Sequence, residues 1–175
     1  MAKGGRAAGK AGAGIVAKLV KPLAEEADEV AAAAAKAVRK DSRGRIIPDG
    51  VDRLPSGRLP SNFEWAGKKY EGKYWTPKLQ EKYPDGVWFT DDGYPDFGPY
   101  IKPPRSQHEV HFDPHFEGNH GSDFTDANRK AGLPATPEGH TWHHHQDTKR
   151  MQLVPSDLHD AVKHAGGVSI MKGRT

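Results

Sequence analysis

The chain has 175 residues with ten histidines and no cysteine, and its 26 lysines and arginines exceed its 23 acidic residues by three. The absence of cysteine excludes disulfides and cysteine-ligated zinc. No run of 18 apolar residues and no signal-peptide core occur, so neither a membrane segment nor signal-peptide export is expected. With 35% hydrophobic residues, 20 glycines and 14 prolines, the composition favours one loop-rich domain plus an appendage.

The first 45 residues differ in composition from the rest. They are rich in alanine, glycine and lysine and carry 10 basic against 5 acidic side chains, whereas residues 46–175 carry 16 against 18. Residues 1–14 are typical of a flexible linker, and Ile15 to Lys40 is helical by propensity with a break at Pro22. We therefore predict a leader over 1–45, partly helical or disordered, and a domain over 46–175. A connector or delivery tether is favoured over a DNA-binding segment.

An aromatic segment runs from Phe63 to Tyr100 and holds three of the four tryptophans and all five tyrosines. The pattern predicts strands at Lys68–Trp75 and Val87–Thr90, with turns at residues 84–86 and 91–93. Tyr94–Phe97 is interpreted as a fixed turn. The aromatic side chains could stack nucleotide bases, but a hydrophobic core is the favoured interpretation.

Between Ile101 and Ala135 the sequence has a second group of histidines. Their spacing is compatible with a second metal site, but ordinary surface or hydrogen-bonded histidines are favoured; the four are His108, His111, His115 and His120. Asp123 is predicted to cap a short helix that ends near Gly132 and braces the downstream hairpin. Several basic side chains are candidates for contacts with phosphate, and the alternative is that they are solvated surface residues. They are Lys102, Arg105, Arg129, Lys130, Lys149, Arg150 and Lys163.

Residues 139–167 hold the candidate active-site residues, because six of the ten histidines lie there. Thr141 to His145 is β-prone and leads through a polar turn to a short strand, Met151–Val154, that Pro155 stops. A helix follows, with Ser156 as its predicted N-cap and Gly166–Gly167 as its predicted end. The predicted unit is therefore strand, turn, strand, helix.

The histidines of this unit fall on different faces. Successive strand side chains point to opposite sides, so His143 and His145 share one face and His144 takes the other. One imidazole could then hold a metal ion while its neighbour stays free. His159 lies in the first helical turn and could complete a site with His143. His164 lies about 140° around an ideal helix from His159, so both reach one ion only if the helix distorts or ends.

The unit resembles the ββα-metal core of HNH endonucleases, in particular the WHH group of the HNH/endonuclease VII superfamily, found as toxin domains in bacterial polymorphic toxins. The likeness covers about residues 55–170. It rests on Trp142-His143-His144, Met151–Pro155, His159 and His164–Gly167, and upstream on Leu59–Phe63, Tyr94–Phe97, Asp123-Phe124, Ala127-Asn128 and Thr136-Pro137. The implied fold is a small α+β domain with its metal core at residues 139–167.

The resemblance also implies residue roles. His143 would be the first metal ligand, His144 the general base and His159 a ligand from the helix. His164 resembles a further helix histidine of colicin-like HNH enzymes, at a spacing one residue longer. Gln152 is the candidate replacement for the superfamily's middle asparagine. His145, as an extra ligand, and Trp142 are candidate supporting residues.

The expected function is that of a DNA endonuclease of low sequence specificity with one divalent ion, Mg²⁺, Mn²⁺ or Zn²⁺, and with Zn²⁺ or Ni²⁺ as the ion expected in a structure. A neutral imidazole can take the proton of the attacking water. The resemblance further implies an antibacterial toxin, secreted or delivered into the cytoplasm of a target cell, with an immunity protein and a delivery machine or larger carrier as partners. The alternatives are a ribonuclease toxin of the same fold and a non-catalytic DNA- or partner-binding module with structural metal.

Overall fold

The structure is a computed structural model that describes residues 38–172, so the predicted leader lies largely outside the described residues. A compact unit begins at Arg39. Its strands are β1 (Trp88–Phe89), β2 (Pro95–Asp96), β3 (Glu109–His111), β4 (His140–His144) and β5 (Arg150–Pro155). Its helices are α1 (Pro77–Lys82), α2 (Arg105–His108), α3 (His120–Lys130), α4 (Ser156–Ala161) and α5 (Gly167–Lys172), with 3-10 turns at Phe63–Trp65 and Gly98–Tyr100. No described helix is long and apolar enough to cross a membrane.

A three-stranded antiparallel sheet organises the site, in the order β3-β5-β4. β5 is central, and Met151 to Val154 are all buried because both faces of this strand are covered. The register places His143 directly opposite Gln152. The mixed fold of short helices and antiparallel strands agrees with the predicted α+β class, and the predicted hairpin of two strands is confirmed as β4 and β5.

The aromatic segment forms core rather than an extended strand. The strand predicted over Lys68–Trp75 is wrong, since only Lys69 forms a bridge, to Trp88. The chain turns at Gly72, where an added Cβ would lie 2.1 Å from Cζ of Tyr70, so the tyrosine ring occupies the place of a side chain. The predicted turn at Tyr94–Phe97 is also wrong, because Pro95 and Asp96 pair with β1. Burial of Tyr70, Phe89 and Phe97 confirms the core interpretation.

The helix after β5 is shorter than predicted. Pro155, not Ser156, occupies the N-cap position, and α4 ends at Ala161, where Val162 leaves the helical region with ψ 82°. Gly166 and Gly167 do not end this helix, and Gly167 begins α5. They are glycines because the loop passes against β4: a Cβ on Gly166 would lie 2.9 Å from the His144 carbonyl oxygen, and one on Gly167 2.3 Å from that of His145.

Helix α3 braces the hairpin, as the sequence predicts. Asn128 Oδ1 accepts a hydrogen bond of 2.8 Å from Trp142 Nε1, and Trp142 packs in a buried cluster with Phe116, Met151 and Leu153. The predicted cap is wrong, since Asn119 caps α3 and Asp123 lies inside it. On the other side of β5, Val154 joins a second cluster with Leu158 and Val162 of the α4 region.

Candidate metal centre and active site

Three histidines converge from the hairpin and from the end of α4. His143 lies on β4, His159 in α4 and His164 in the loop that follows, and one nitrogen of each lies within 4.8 Å of the others. His164 reaches the group because α4 ends before it. The spacing of His159 and His164 predicts that both reach one ion only if the helix distorts or ends there. His145 shares their side of the strand but bonds instead to Asp147, 3.2 Å away.

His143 and His164 already have the spacing of two ligands on one ion. His143 Nδ1 lies 3.2 Å from His164 Nε2. His164 Nδ1 lies 2.6 Å from the Val162 carbonyl, which can only accept, so Nδ1 carries the proton and Nε2 presents its lone pair to His143. A tetrahedral ion with bonds of about 2.0–2.1 Å sets nitrogens about 3.3 Å apart. The three residues fit a metal ion once their nitrogens, which lie within 4.8 Å of one another, approach that spacing, a movement of up to about 1.5 Å.

His143 contributes a further sign of a missing partner. Within residues 38–172, its Nε2 and the Oε1 of Gln152 are two of the three buried side-chain polar atoms without a hydrogen-bond partner. The two residues face each other across the hairpin, and Gln152 Nε2 donates to Glu109 Oε2 at 2.6 Å. A histidine that binds a metal through one nitrogen usually donates its other N–H to a nearby acceptor. Gln152 lies opposite His143 in the register, but its Oε1 forms no hydrogen bond with His143 Nε2, so its role beside the metal site stays a prediction.

Burial keeps the three imidazoles neutral. Desolvation lowers the pKa of His143 well below its ordinary value, that of His159 to about 4 and that of His164 to about 3, and neighbouring positive charge adds to the effect. Phe97 supplies much of this apolar wall, since its ring centroid lies 4.8, 5.4 and 5.3 Å from those of His143, His159 and His164. Neutral imidazole is the form that binds metal ions. The sequence pattern gave Phe97 no functional role.

His144 points to the other side of β4, as strand alternation predicts. Its Nε2 lies 2.9 Å from Oδ2 of Asp123, and both side chains are buried. Asp123 also accepts the backbone N–H groups of Glu117 and Gly118, each at 2.9 Å. Because a carboxylate bound by N–H donors acts as acceptor, it holds the proton of His144 on Nε2 and leaves Nδ1 as the basic nitrogen. Burial lowers the pKa of His144, and Asp123 opposes that shift.

A single cavity of about 570 Å³ joins the two halves of this site. Its lining includes His143, His144, His159 and His164, and also His120, whose ring centroid lies 5.0 Å from that of His144. Sequence spacing favoured an ordinary role for His120, and only the fold of α3 reveals its position. Asp123 was likewise predicted as a cap, because no local pattern links it to a histidine 21 residues away.

The remaining predicted site residues are Trp142 and a group of basic residues. Trp142 lines the cavity but is 1% exposed and is largely part of the core. Among the described residues, the cavity lining includes none of the five basic residues whose sequence positions flank the site, namely Arg129, Lys130, Lys149, Arg150 and Lys163. Arg129 pairs with Asp126 at 2.8 Å. Their part in nucleic-acid binding stays a prediction.

Three neutral imidazoles beside a fourth that a carboxylate orients form a candidate hydrolytic metal centre. Comparison with protein families identifies the class of protein that this segment resembles. The model of the WHH family, described as a nuclease of the HNH/ENDO VII superfamily with conserved WHH, matches residues 134–174, which include Trp142, His143 and His144. The resemblance is confirmed over this segment, and such nucleases hydrolyse esters of nucleic acid. No curated protein sequence matches the chain.

Proposed function

We propose that the protein is a metal-dependent endonuclease that cleaves DNA with little sequence preference. The observation that supports this most directly is the arrangement of four of the five histidines around one cavity, namely His143, His144, His159 and His164. Three of them converge within 4.8 Å, and the fourth has its tautomer fixed by Asp123. A purely structural metal site would need the first three but would have no use for the oriented fourth.

His143, His159 and His164 would hold one divalent ion, Mg²⁺, Mn²⁺ or Zn²⁺. When bound, such an ion offsets the negative charge that develops on the phosphate and on the leaving oxygen. The ligands come from a strand, a helix and a loop, and the fold brings their nitrogens within 4.8 Å of one another before any ion arrives. Phe97 excludes water from their inner side.

His144 would act as the general base. Its Nδ1 takes a proton from water, the water oxygen bonds to phosphorus, and the bond from phosphorus to the 3′ oxygen breaks. The products are a 5′ phosphate and, after protonation of the leaving oxygen, a 3′ hydroxyl. The lowered pKa leaves His144 unprotonated at neutral pH, and the Asp123 carboxylate stabilises the imidazolium that forms.

Plasmid nicking by the full chain tests this proposal. Cleavage is expected with Mg²⁺, Mn²⁺ or Zn²⁺ and should stop with chelator. His144→Ala should abolish cleavage while metal binding survives, and His143→Ala should weaken both. His111→Ala is the matched control, because His111 is exposed and does not line the cavity. Loss of metal binding in His144→Ala, with cleavage retained in His143→Ala, would reverse the two roles.

The same assay decides between substrates. A parallel reaction on RNA should show weaker cleavage, and a chain that cuts only RNA is the ribonuclease of the same fold. A chain that cuts neither under any of the three metals is a binding module with structural metal. DNA is favoured here through the superfamily resemblance of residues 134–174.

We further propose that this nuclease is an antibacterial toxin that acts in the cytoplasm of a target cell. Support comes from the WHH resemblance and from chemistry, since a sequence-tolerant nuclease would attack the chromosome of its own producer. An immunity protein and a delivery machine or larger carrier would then be its partners. Expression in a bacterium without neighbouring genes should arrest growth and degrade DNA, and His144→Ala should relieve both. Normal growth with soluble, active enzyme would refute the toxin role.

A further inference from the structure

A second cavity, of about 670 Å³, lies beside the histidine cavity. Residues 41–63 form most of its wall, and Ala165 and Ser169 close the side that faces the site. Ser169 lines both cavities. His164 and Ala165 are consecutive, so their Cα atoms are about 3.8 Å apart. The side chain of Asn62 also donates to the carbonyl of Lys163. The two cavities are therefore neighbours across a single loop.

This second cavity concentrates positive charge. Residues 38–172 carry 19 lysines and arginines against 19 acidic residues, so the described chain has no net charge. The cavity nevertheless has four arginines and one aspartate in its lining, namely Arg43, Arg45, Arg53, Arg58 and Asp41. A local excess of three positive charges on a neutral domain creates a field directed at anions.

The arginines divide into a fixed pair and a free pair. Arg45 is held by Asp41 at 2.8 Å and Glu64 at 3.2 Å, and its guanidinium lies 4.6 Å from the centre of the Phe63 ring. Arg53 donates to the Gly57 carbonyl at 2.9 Å.

In contrast, the exposed side chains of Arg43 and Arg58 form no hydrogen bond or ion pair with other residues of the described range 38–172. Among residues 38–172, nothing therefore competes with a ligand for their guanidinium donors.

The chemistry of the cavity favours an anionic ligand over an apolar one. Leu54, Pro60 and Phe63 are buried, so the apolar side chains form the floor and offer little free surface. The exposed groups are guanidinium forks, which match the geometry of phosphate oxygens. Phosphates recur along one strand of duplex DNA at about 3.4 Å of helix axis. A strand with one phosphate at the histidines would carry further phosphates at this spacing on either side of it.

We propose that this arginine cavity binds the phosphate backbone of the nucleic-acid substrate on one side of the cleaved bond. The proposal rests on the nuclease function proposed above, because it places the cleaved phosphate in the neighbouring cavity. Arg43 and Arg58 make the contacts that carry affinity, and Arg45 and Arg53 shape the wall. The cavity determines how tightly a long substrate is held and takes no part in the chemical step.

The test removes two charges from the full chain in the double variant Arg43→Gln/Arg58→Gln. The matched control is Lys68→Gln/Lys78→Gln, since both lysines are exposed and neither lines either cavity. Binding of a fluorescein-labelled DNA duplex is measured with chelator across a range of KCl. Each lost phosphate contact lowers the slope of log K against log salt by about 0.9, so the slope should fall by about 1.8 and the affinity at 0.1 M salt by about 60-fold.

Cleavage kinetics give a second and independent readout. With DNA, the arginine variant should show a raised KM with kcat within about twofold of the wild type. With bis(p-nitrophenyl) phosphate, which is too small to reach from the histidines into the second cavity, wild type and variant should be equal. Equal effects of the arginine and lysine variants would overturn the proposal, because DNA binding would then depend on the net charge of the protein and not on this cavity.

The two proposals fail differently. If the wild type cuts both substrates and the arginine variant binds and cuts DNA like the control, the cavity proposal is wrong and the nuclease stands. If the wild type cuts neither substrate, the nuclease function is wrong, and an unchanged salt slope in the arginine variant then removes the cavity as well. A slope that still falls by about 1.8 supports a nucleic-acid site without catalysis.

Discussion

Replacement of Asp123 by asparagine separates orientation of the base from formation of the metal site. The carboxylate accepts three N–H donors at 2.9 Å, from Glu117, Gly118 and His144. Asparagine has one accepting oxygen and an NH₂ group that must face at least one of these donors. If NH₂ faces Glu117, one hydrogen bond is lost and the His144 tautomer survives. If it faces Gly118 and His144, the imidazole must move its proton to Nδ1 and can no longer act as a base.

Either arrangement loses about one hydrogen bond to a charged group, which lowers the free energy of unfolding by about 1.5–3 kcal/mol. Either also removes the negative charge that stabilises the imidazolium, so the cleavage rate should fall about 10²- to 10⁴-fold. Metal affinity should change little, because Asp123 touches none of the three converging histidines. Plasmid cleavage, calorimetric metal titration and denaturant unfolding measure the three quantities separately.

Asp126→Asn provides the matched control on the same helix. Its carboxylate is 38% exposed and pairs with Arg129 at the surface, so its loss should cost no more than about 1 kcal/mol and leave cleavage unchanged. A folded Asp123→Asn that cleaves within about threefold of the wild type would refute the orienting role. Parallel losses of metal affinity and cleavage would indicate a general structural role instead.

Gly167→Ala should lower the free energy of unfolding by about 1–3 kcal/mol, because the new Cβ would lie 2.3 Å from a backbone carbonyl oxygen. The control variant Gly121→Ala should be neutral or stabilising, because the nearest atom to its new Cβ is 3.5 Å away. Equal unfolding midpoints for the two variants would contradict the close approach at Gly167. In metal-free protein, the depressed pKa values of His159 and His164, about 4 and about 3, mean that their stabilising contribution is complete above pH 6.5 and declines as the pH falls toward those values. Denaturant unfolding between pH 7 and 4 should therefore show a steeper loss in the wild type than in the double glutamine variant of these two residues, and equal slopes would refute it. Deletion of residues 1–38 should leave folding intact. Deletion of residues 1–45 should destabilise the domain, because it removes Arg39, which donates hydrogen bonds to the backbone carbonyls of Asp49 and Val51. Equal thermal midpoints for the two truncated proteins would contradict this role of Arg39.

The sequence predicts the hairpin and the roles of its faces well because these follow from local periodicity. Alternation along a strand suffices to separate His143 from His144, and a polar turn between two β-prone segments suffices for the pairing. The end of α4 was mispredicted because Gly166 and Gly167 look like a helix terminus, while their actual cause is the backbone of β4. That contact is tertiary and leaves no trace in helical spacing.

Asp123 and Phe97 are site residues that local sequence patterns do not identify. Each reaches the site from a separate element, and neither residue type signals a site by itself. An aspartate in the first turn of a helix is usually a cap, and a phenylalanine after a tyrosine and a proline is usually core. Only the packing of α3 and of the Gly98–Tyr100 turn beside the hairpin brings them to the histidines.

The early end of α4 also couples ion binding to local order. His159 lies inside the helix and His164 beyond its last turn, so an ion held by both would tie the loop of residues 162–166 to the helix and, through His143, to the sheet. Ligand binding favours whichever conformation contains the assembled site. The ion would thus restrict the motion of the loop that separates the two cavities. Amide hydrogens of α5, which follows that segment directly, would then exchange with solvent more slowly when the ion is present.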